Sequence, residues 1–558
     1  METFLVTTHA VSLVGLEPYV IRVETHVGPG LVVFTVVGLP DASVRESKDR
    51  VRAALQSCGV DWFDRRVTVN LSPADIPKAG PVFDLAIAMG LLAARGIVAG
   101  DDLAGIVFIA ELGLDGQLRA VRGVVPAVLG AVRAGFNKVV VAEANYAEAS
   151  LVPGAQVRAC KHLTDSVQCV QDWQASAPLT IASNPGAGER QGAANATGSQ
   201  CEPDEDRARQ GDEDGTALVI NDRPDRDGAT QAVGGRNHSP DLGEVRGQHW
   251  AVESLLVAAA GGHHLLMIGE AGAGKTMLAR CLPSVLPPLT DEAAIETTAV
   301  HSLAGTLDAQ GGLIRTPPLQ MPHHTATLPA IIGGGSASLS PGAVSLAHNG
   351  VLFLDEATEF SARVLDGLRQ PLESGWANVY RARHRAQLPA RFQLILATNP
   401  CPCGNALSRG KSCKCSALQL RRYLGRLSGP LLDRVDLHVT MHSPTRADLS
   451  RPPEYTSAQG AQRVREARER AAHRWREYPW KLNAHVPSRQ LRTCGALEPA
   501  AANTLDESVA KGEISLRGAD RVLRLSLTLA DLEGREHATL ADVGKALQYR
   551  NGAQYGNL

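Results

Sequence analysis

Short apolar runs alternate along most of the chain with longer stretches in which apolar residues return every three or four positions. The places where that alternation stops divide the chain. Up to about Val170, LVVFTVVGL, RRVTVNL, GIVFIAEL and KVVVAEA read as strands, and SVRESKDRVRAALQSCG, FDLAIAMGLLAARG and VVPAVLGAVRAG as helices. Together they predict a compact α+β or α/β domain over residues 1–170. Over residues 171–240 the composition shifts to Gly, Ala, Asn, Asp, Arg and Gln, as in NPGAGERQGAANATGSQCEPDEDRARQGDEDG. Such a stretch has too little apolar surface to offset the entropy of ordering, and a disordered linker is expected. Order returns at DLGEVRGQHWAVESLLVAAAGGHHLLMIG, and the strands HHLLMI, VLFL and FQLILAT with the helix TMLARCLPSVL predict an α/β core over 241–445. Beyond it AQRVREARERAAHRWREY, RGADRVLRLSLTLADLEG and TLADVGKALQYRN keep helical spacing, so an all-helical region is expected over 446–558.

One apolar run ends oddly. VLFLDE places Asp355 and Glu356 side by side directly after four residues fit for a buried strand. Two adjacent carboxylates are costly to bury unpaired, so they belong at the strand's open end, facing a cation, a water or a basic partner. The stretch GEAGAGKT, about eighty residues earlier, supplies a reason. It satisfies G-x-x-x-x-G-K-[ST] after a strand and before a helix, where Gly269, Glu270, Ala271, Gly272, Ala273 and Gly274 wrap backbone N–H groups around a phosphate. Lys275 adds a positive charge for the β- and γ-phosphates of ATP, and Thr276 offers its hydroxyl to Mg2+. Asp355 then holds the metal or its water shell, and Glu356 polarises the attacking water.

Three further residues are candidates by position. Asn399 ends the strand FQLILATNP, where a γ-phosphate or water can be read. Arg434 in PLLDRVDLHV and Arg517 in SLRGADRVLRL, with Arg521 one turn on, are cations able to neutralise transition-state charge, although a lone arginine is more often a surface residue. CPCGNALSRGKSCKC contributes Cys401, Cys403, Cys413 and Cys415. Four thiolates suit tetrahedral Zn2+, yet C-x-C is a less usual pairing than C-x-x-C, and reduced thiols are the other reading. His301, His323 and His324 are expected on loops, with no metal role.

Composition narrows the partners. The 558 residues are 44% hydrophobic and carry a net charge of -2, so no global field draws the chain to nucleic acid or anionic lipid. Any nucleic-acid surface is local, and WANVYRARHRAQLPARF offers one, with Arg381, Arg383, Arg385 and Arg391 interleaved with Tyr380 and His384. Charges that merely guard a solvated hairpin are the alternative. No leader-like start and no membrane-length apolar run is seen, so a cytoplasmic protein without a membrane partner is expected.

The order strand, GEAGAGKT, helix, VLFLDE, ATNP, LLDRVD, LRGADRVLR resembles the AAA+ ATPases, and PHHT, IIGGG, PGAVSLAHNGVLFLDE, LRQPLESG and ATNPCPCG narrow the resemblance to the magnesium-chelatase-like YifB/ComM group. The resemblance implies an α/β P-loop AAA+ core that binds ATP and Mg2+, with Asn399 as sensor 1, Arg434 as a finger reaching a neighbour's nucleotide and Arg517 as sensor 2. It implies a homo-oligomeric ring, commonly a hexamer, and a motor for DNA branch migration in transformation or recombination; remodelling of a partner protein is the alternative. An insertion at about 304–345 and a hairpin at about 376–392 are expected to face the ring's pore. The first domain is similar to the Lon protease catalytic fold (ribosomal S5 domain 2-like). Val82 and Val125 stand where that fold's dyad would be, so no proteolysis is expected. Lys78 and Asp84 lie nearby and read as charges in a turn.

Overall fold

Apolar residues recur at alternate positions through much of EPYVIRVETHVG (β2, Glu17–Gly28), and it pairs with FLVTTHAVSLV (β1, Phe4–Val14), buried on both faces at Ala10, Val11 and Ser12, in a long antiparallel hairpin from Phe4↔Val27 to Val14↔Glu17. The computed structural model to which they belong describes residues 3–175, 240–334, 339–380, 385–408, 412–494 and 497–551. The stretch expected to be a disordered linker lies outside the described residues except at its two ends.

β3 (Phe34–Val37), β4 (Arg66–Ser72), β5 (Ile106–Ile109), β6 (Lys138–Ala142) and β7 (Gln156–Cys160) complete a seven-stranded mixed sheet in the order β3-β4-β2-β1-β5-β6-β7. Helix α1 (Ala42–Ser57) is amphipathic, whereas α2 (Asp84–Ala94) is apolar on every side and wholly buried. Helix α3 (Val124–Arg133) shares a second apolar cluster with Val11, Val107 and Val139. Val125 is fully buried there, and Val82 packs against the same cluster. Lys78 and Asp84, expected as charges in a turn, are both fully buried. Asp84 is tolerated because Arg50 grips it through Nε at 2.7 Å and a second nitrogen at 3.0 Å, and the Leu112 N–H adds a third bond.

Beyond residue 240 the second sheet begins. α4 (His249–Gly261) leads into β8 (Leu265–Gly269), then α5 (Lys275–Val285), α6 (Asp291–Ala304), β9 (Leu319–Gln320), β10 (Val351–Leu354), the hairpin β11 (Trp376–Tyr380) and β12 (Arg385–Pro389), β13 (Gln393–Thr398), α7 (Ala417–Leu424) and β14 (Leu437–Met441). The five sheet strands run parallel in the order β9-β10-β13-β8-β14. β8, β10 and β13 are buried on both faces, which is why they read as unbroken apolar runs. His301, expected on a loop, is instead inside α6 and 1% exposed, bonded to Leu346 O and the Thr306 hydroxyl.

α8 (Ser457–Arg474), α9 (Pro499–Ala510), α10 (Leu516–Leu532) and α11 (Leu540–Asn551) follow. Their apolar faces merge with α4, α5 and one face of the parallel sheet into a single core. Helices beside the two sheets also meet: Ser302 on α6 accepts the Gly123 N–H at the start of α3 through its carbonyl and the Val125 N–H through its hydroxyl, each at 3.1 Å. Among the described residues no helix is long and apolar enough to cross a membrane.

Candidate nucleotide site

Three parallel strands side by side deliver the chemistry. β8 ends in the glycine-rich loop, β10 in Asp355 and Glu356, and β13 in Asn399, so all arrive at the carboxyl edge of one sheet. Gly269 packs so closely on β14 that a Cβ there would lie 2.6 Å from Met441 O. Gly272 and Gly274 hold φ of +82° and +89°, which lets the loop curl before α5 starts at Lys275.

The side chains then converge. Lys275, 9% exposed, donates from Nζ to Gly269 O at 2.7 Å, Glu270 O at 2.8 Å and Asn399 Oδ1 at 3.2 Å. Burial lowers its pKa, and the charges of Asp355, Glu356 and Glu270 oppose that. The Thr276 hydroxyl donates to Asp355 Oδ2 at 2.6 Å, and the other Asp355 oxygen accepts the Glu356 N–H at 2.9 Å. Glu356 is exposed and holds φ +49°, a left-handed conformation uncommon for a residue that carries a side chain. The loop is propped by Gln248, whose Nε2 donates to Ala273 O at 3.1 Å and also to His442 O. A hydroxyl pair, Thr358 and Thr398 at 2.9 Å, ties the turn after Glu356 to β13.

The other two candidates are elsewhere. Leu437 pairs with Leu265 and Met441 with Gly269, so Arg434 precedes the amino end of β14 while the phosphate loop follows the carboxyl end of its neighbour. Roughly 15 Å of strand separates the two edges. Arg434 is ion-paired with Glu373 and donates to Pro430 O, and its buried Nε has no partner. Burial, then the charges of Arg369, Arg521 and Arg517, bring its pKa below the usual guanidinium value. Arg517 is exposed in the first turn of α10. Arg521, one turn on, bonds Asp436 at 2.8 Å, and His263 bonds the other Asp436 oxygen at 3.0 Å. Burial raises the Asp436 pKa, but the His263 hydrogen bond and the Arg521 charge outweigh it and hold the group below the ordinary carboxylate range.

Sequence reasoning missed His324. β9 lies beside β10, and four residues past its end His324 Nδ1 stands 3.7 Å from Glu356 Oε2. PHHT following a strand that neighbours the acidic one was the available signal. The hairpin expected before β13 is present as β11 and β12. Arg391 beyond it is exposed, whereas Arg381, Arg383 and His384, with the side chains of Tyr380 and Arg385, lie outside the described residues.

The cysteines gather beside this site. Cys401, two residues after Asn399, is buried; Cys403 is exposed; all four Sγ atoms lie within 4.8 Å of one another. Backbone N–H groups of Asn405 and Lys414 pull the Cys403 thiol down to about 6.

Known proteins resemble the chain over nearly all of these parts. The family described as "Magnesium chelatase, subunit ChlI" matches residues 241–449, "Subunit ChlI of Mg-chelatase" residues 23–145, and "Magnesium chelatase, subunit ChlI C-terminal" residues 454–550. An uncharacterized protein of Mycobacterium tuberculosis is 41% identical over 541 residues, 97% of each chain. The competence protein ComM of Haemophilus influenzae is 38% identical over 539 residues, 96% of this chain and 95% of its own, and YifB of Escherichia coli is 36% identical over 544 residues, 97% and 96%.

Proposed function

The chain belongs to the YifB/ComM family of magnesium-chelatase-like proteins, an ATPase-type membership, and from it we propose a ring-forming AAA+ motor that hydrolyses ATP to drive DNA branch migration in transformation or recombination. One observation carries the reading: Thr276, Lys275, Asp355 and Asn399 form a connected set at the open edge of three parallel strands, with Glu356 beside it.

In this reading the loop from Gly269 to Gly274 cradles the phosphates, and Lys275 exchanges its carbonyl partners for phosphate oxygens. Thr276 and Asp355 fit a magnesium ion, two hard oxygens already in contact, and the bound ion supplies neutralising charge to the β- and γ-phosphates. Glu356 takes a proton from the attacking water, and Asn399 orients that water or the phosphate. Arg434, on the far edge of the sheet, serves the nucleotide of an adjacent copy and leaves Glu373 to do so, while Arg517 acts as sensor 2. The four cysteines hold zinc. The β11–β12 hairpin, with the exposed Arg391 just beyond it, meets DNA. The amino-terminal sheet, with Val82 and Val125 in apolar packing, is a binding module without peptidase chemistry.

The test is steady-state ATP hydrolysis, alone and with single-stranded, duplex or branched DNA, with Glu356→Gln as control. Stimulation strongest with branched DNA and absent in the control is the expected outcome. Robust hydrolysis indifferent to every DNA would overturn the DNA motor and direct the reading to a remodelled protein partner.

A further inference from the structure

Among its described residues the loop joining β13 to α7 contains neither helix nor strand, yet it brings four sulfurs together. Cys401 and Cys403 Sγ are 3.3 Å apart, Cys403 and Cys413 3.7 Å, and Cys413 and Cys401 3.7 Å. A sulfur–sulfur bond needs about 2.05 Å, so these are not disulfide separations. Sulfurs about 2.3 Å from one tetrahedral zinc ion would be about 3.8 Å from each other, close to what is seen. Cys401 and Cys403 share a tight turn closed by the Gly404 N–H on Cys401 O at 2.9 Å, which folds the two sulfurs of the first C-x-C toward each other. Two backbone N–H groups already point at sulfur, Ala406 N to Cys401 at 3.3 Å and Cys415 N to Cys413 at 3.5 Å, as a thiolate site requires. Burial alone would not assemble them, since Cys403 is exposed and Cys413 and Cys415 are only half-buried.

The flanks give the site a task. Cys401 follows Asn399 by two residues, and Cys415 abuts Ser416, the residue that caps α7. After α7, Arg426 donates to Thr358 O at 2.9 Å and to Glu359 at 3.0 Å, immediately beyond Glu356. We infer that Cys401, Cys403, Cys413 and Cys415 bind one zinc ion in a closed four-thiolate site, and that this ion fixes the strand end carrying Asn399 against the segment that latches the turn after Glu356. All four positions of the ion are filled by protein, so it is structural, with no open place for substrate. Its contribution to hydrolysis goes through Asn399, which it positions. This second part rests on the ATPase reading; the first does not.

Full-length chain purified without chelator is expected to carry about one zinc ion per protomer by elemental analysis, released together with four thiols on mercurial titration. Cobalt(II) put in its place gives the visible d–d bands of a tetrahedral thiolate complex. Cys403→Ser combined with Cys413→Ser loses the metal while nucleotide affinity stays within about two-fold, and kcat falls by about ten-fold or more. Reversible removal of zinc from the unaltered chain by a chelator, then restoration, repeats the kcat loss and recovery and guards against a folding defect in the variant. Iron in place of zinc, equal zinc in the double variant, or four free thiols that take up no added zinc would each overturn the site. Unchanged kcat in the zinc-free chain would overturn the positioning role alone, and zinc content is read whether or not ATP is hydrolysed.

Discussion

Glu356 pays for its place: a left-handed backbone costs a non-glycine residue on the order of 1–2 kcal/mol, and of the two adjacent acids it is the exposed one. Glu356→Gln is expected to cut turnover by at least about 100-fold with nucleotide affinity nearly unchanged, read by single-turnover kinetics beside a binding titration. Equal losses in both would mean that the side chain binds and does not catalyse. Two buried histidines carry a pH prediction. Burial lowers His301 and His438 from 6.5 to about 4, so both stay neutral in the folded chain where the unfolded chain takes up protons. Their contribution is fully present above about pH 6.5 and is lost as pH falls through about 4, on the order of 1–3 kcal/mol each. Melting temperature should therefore fall across that window and fall less in His301→Gln, which keeps a donor and an acceptor for Leu346 O and Thr306; identical slopes would refute it. Residues whose task depends on neighbours in sequence, Gly269 to Thr276 and Asp355 with Glu356, could be read from the chain. His324 and the His263–Asp436–Arg521 set could not, because their partners are brought by separate strands and helices.

At the scale of elements, unbroken apolar runs such as β8 and β13 announced strands of an α/β core, and the helical spacing near the carboxyl end announced helices there; that the strands run parallel and are covered on both faces came with the structure. The amino-terminal sheet order was not legible, since alternation gives each strand a face and not a neighbour. The same blindness hid the burial of Asp84, to which α1 brings Arg50 across 34 positions, and of Lys78, whose Nζ donates to Pro73 O. Close packing of β8 on β14 yields a test: Gly269→Ala pushes a methyl against Met441 O and is expected to cost about 1–3 kcal/mol, seen as a lower melting temperature and weaker nucleotide binding. An unchanged melting temperature would show that the strands part freely there. The seam between α3 and α6 gives another. Ser302→Ala removes the hydroxyl that the Val125 N–H bonds across this seam and is expected to cost about 1 kcal/mol, and limited proteolysis should then cleave between the two parts of the chain sooner.

For the whole molecule, the proposed ring predicts rescue between two inactive proteins. Arg434→Ala supplies an intact Glu356 and Glu356→Gln an intact Arg434. Mixed in equal amounts, they form an intact pairing at about a quarter of random junctions and should recover a corresponding share of turnover. No recovery at any ratio, with mixed assemblies verified, would place both residues at one copy's own nucleotide. The separation of Asn399 and Arg434 to opposite edges of one sheet also has a genetic reading. On the proposed arrangement every ring that takes up a folded copy lacking Glu356 carries a dead site among its shared ones, so a Glu356 lesion expressed beside an intact gene is inherited as a dominant trait. A lesion at Asp84 that prevents folding never enters the assembly and is recessive.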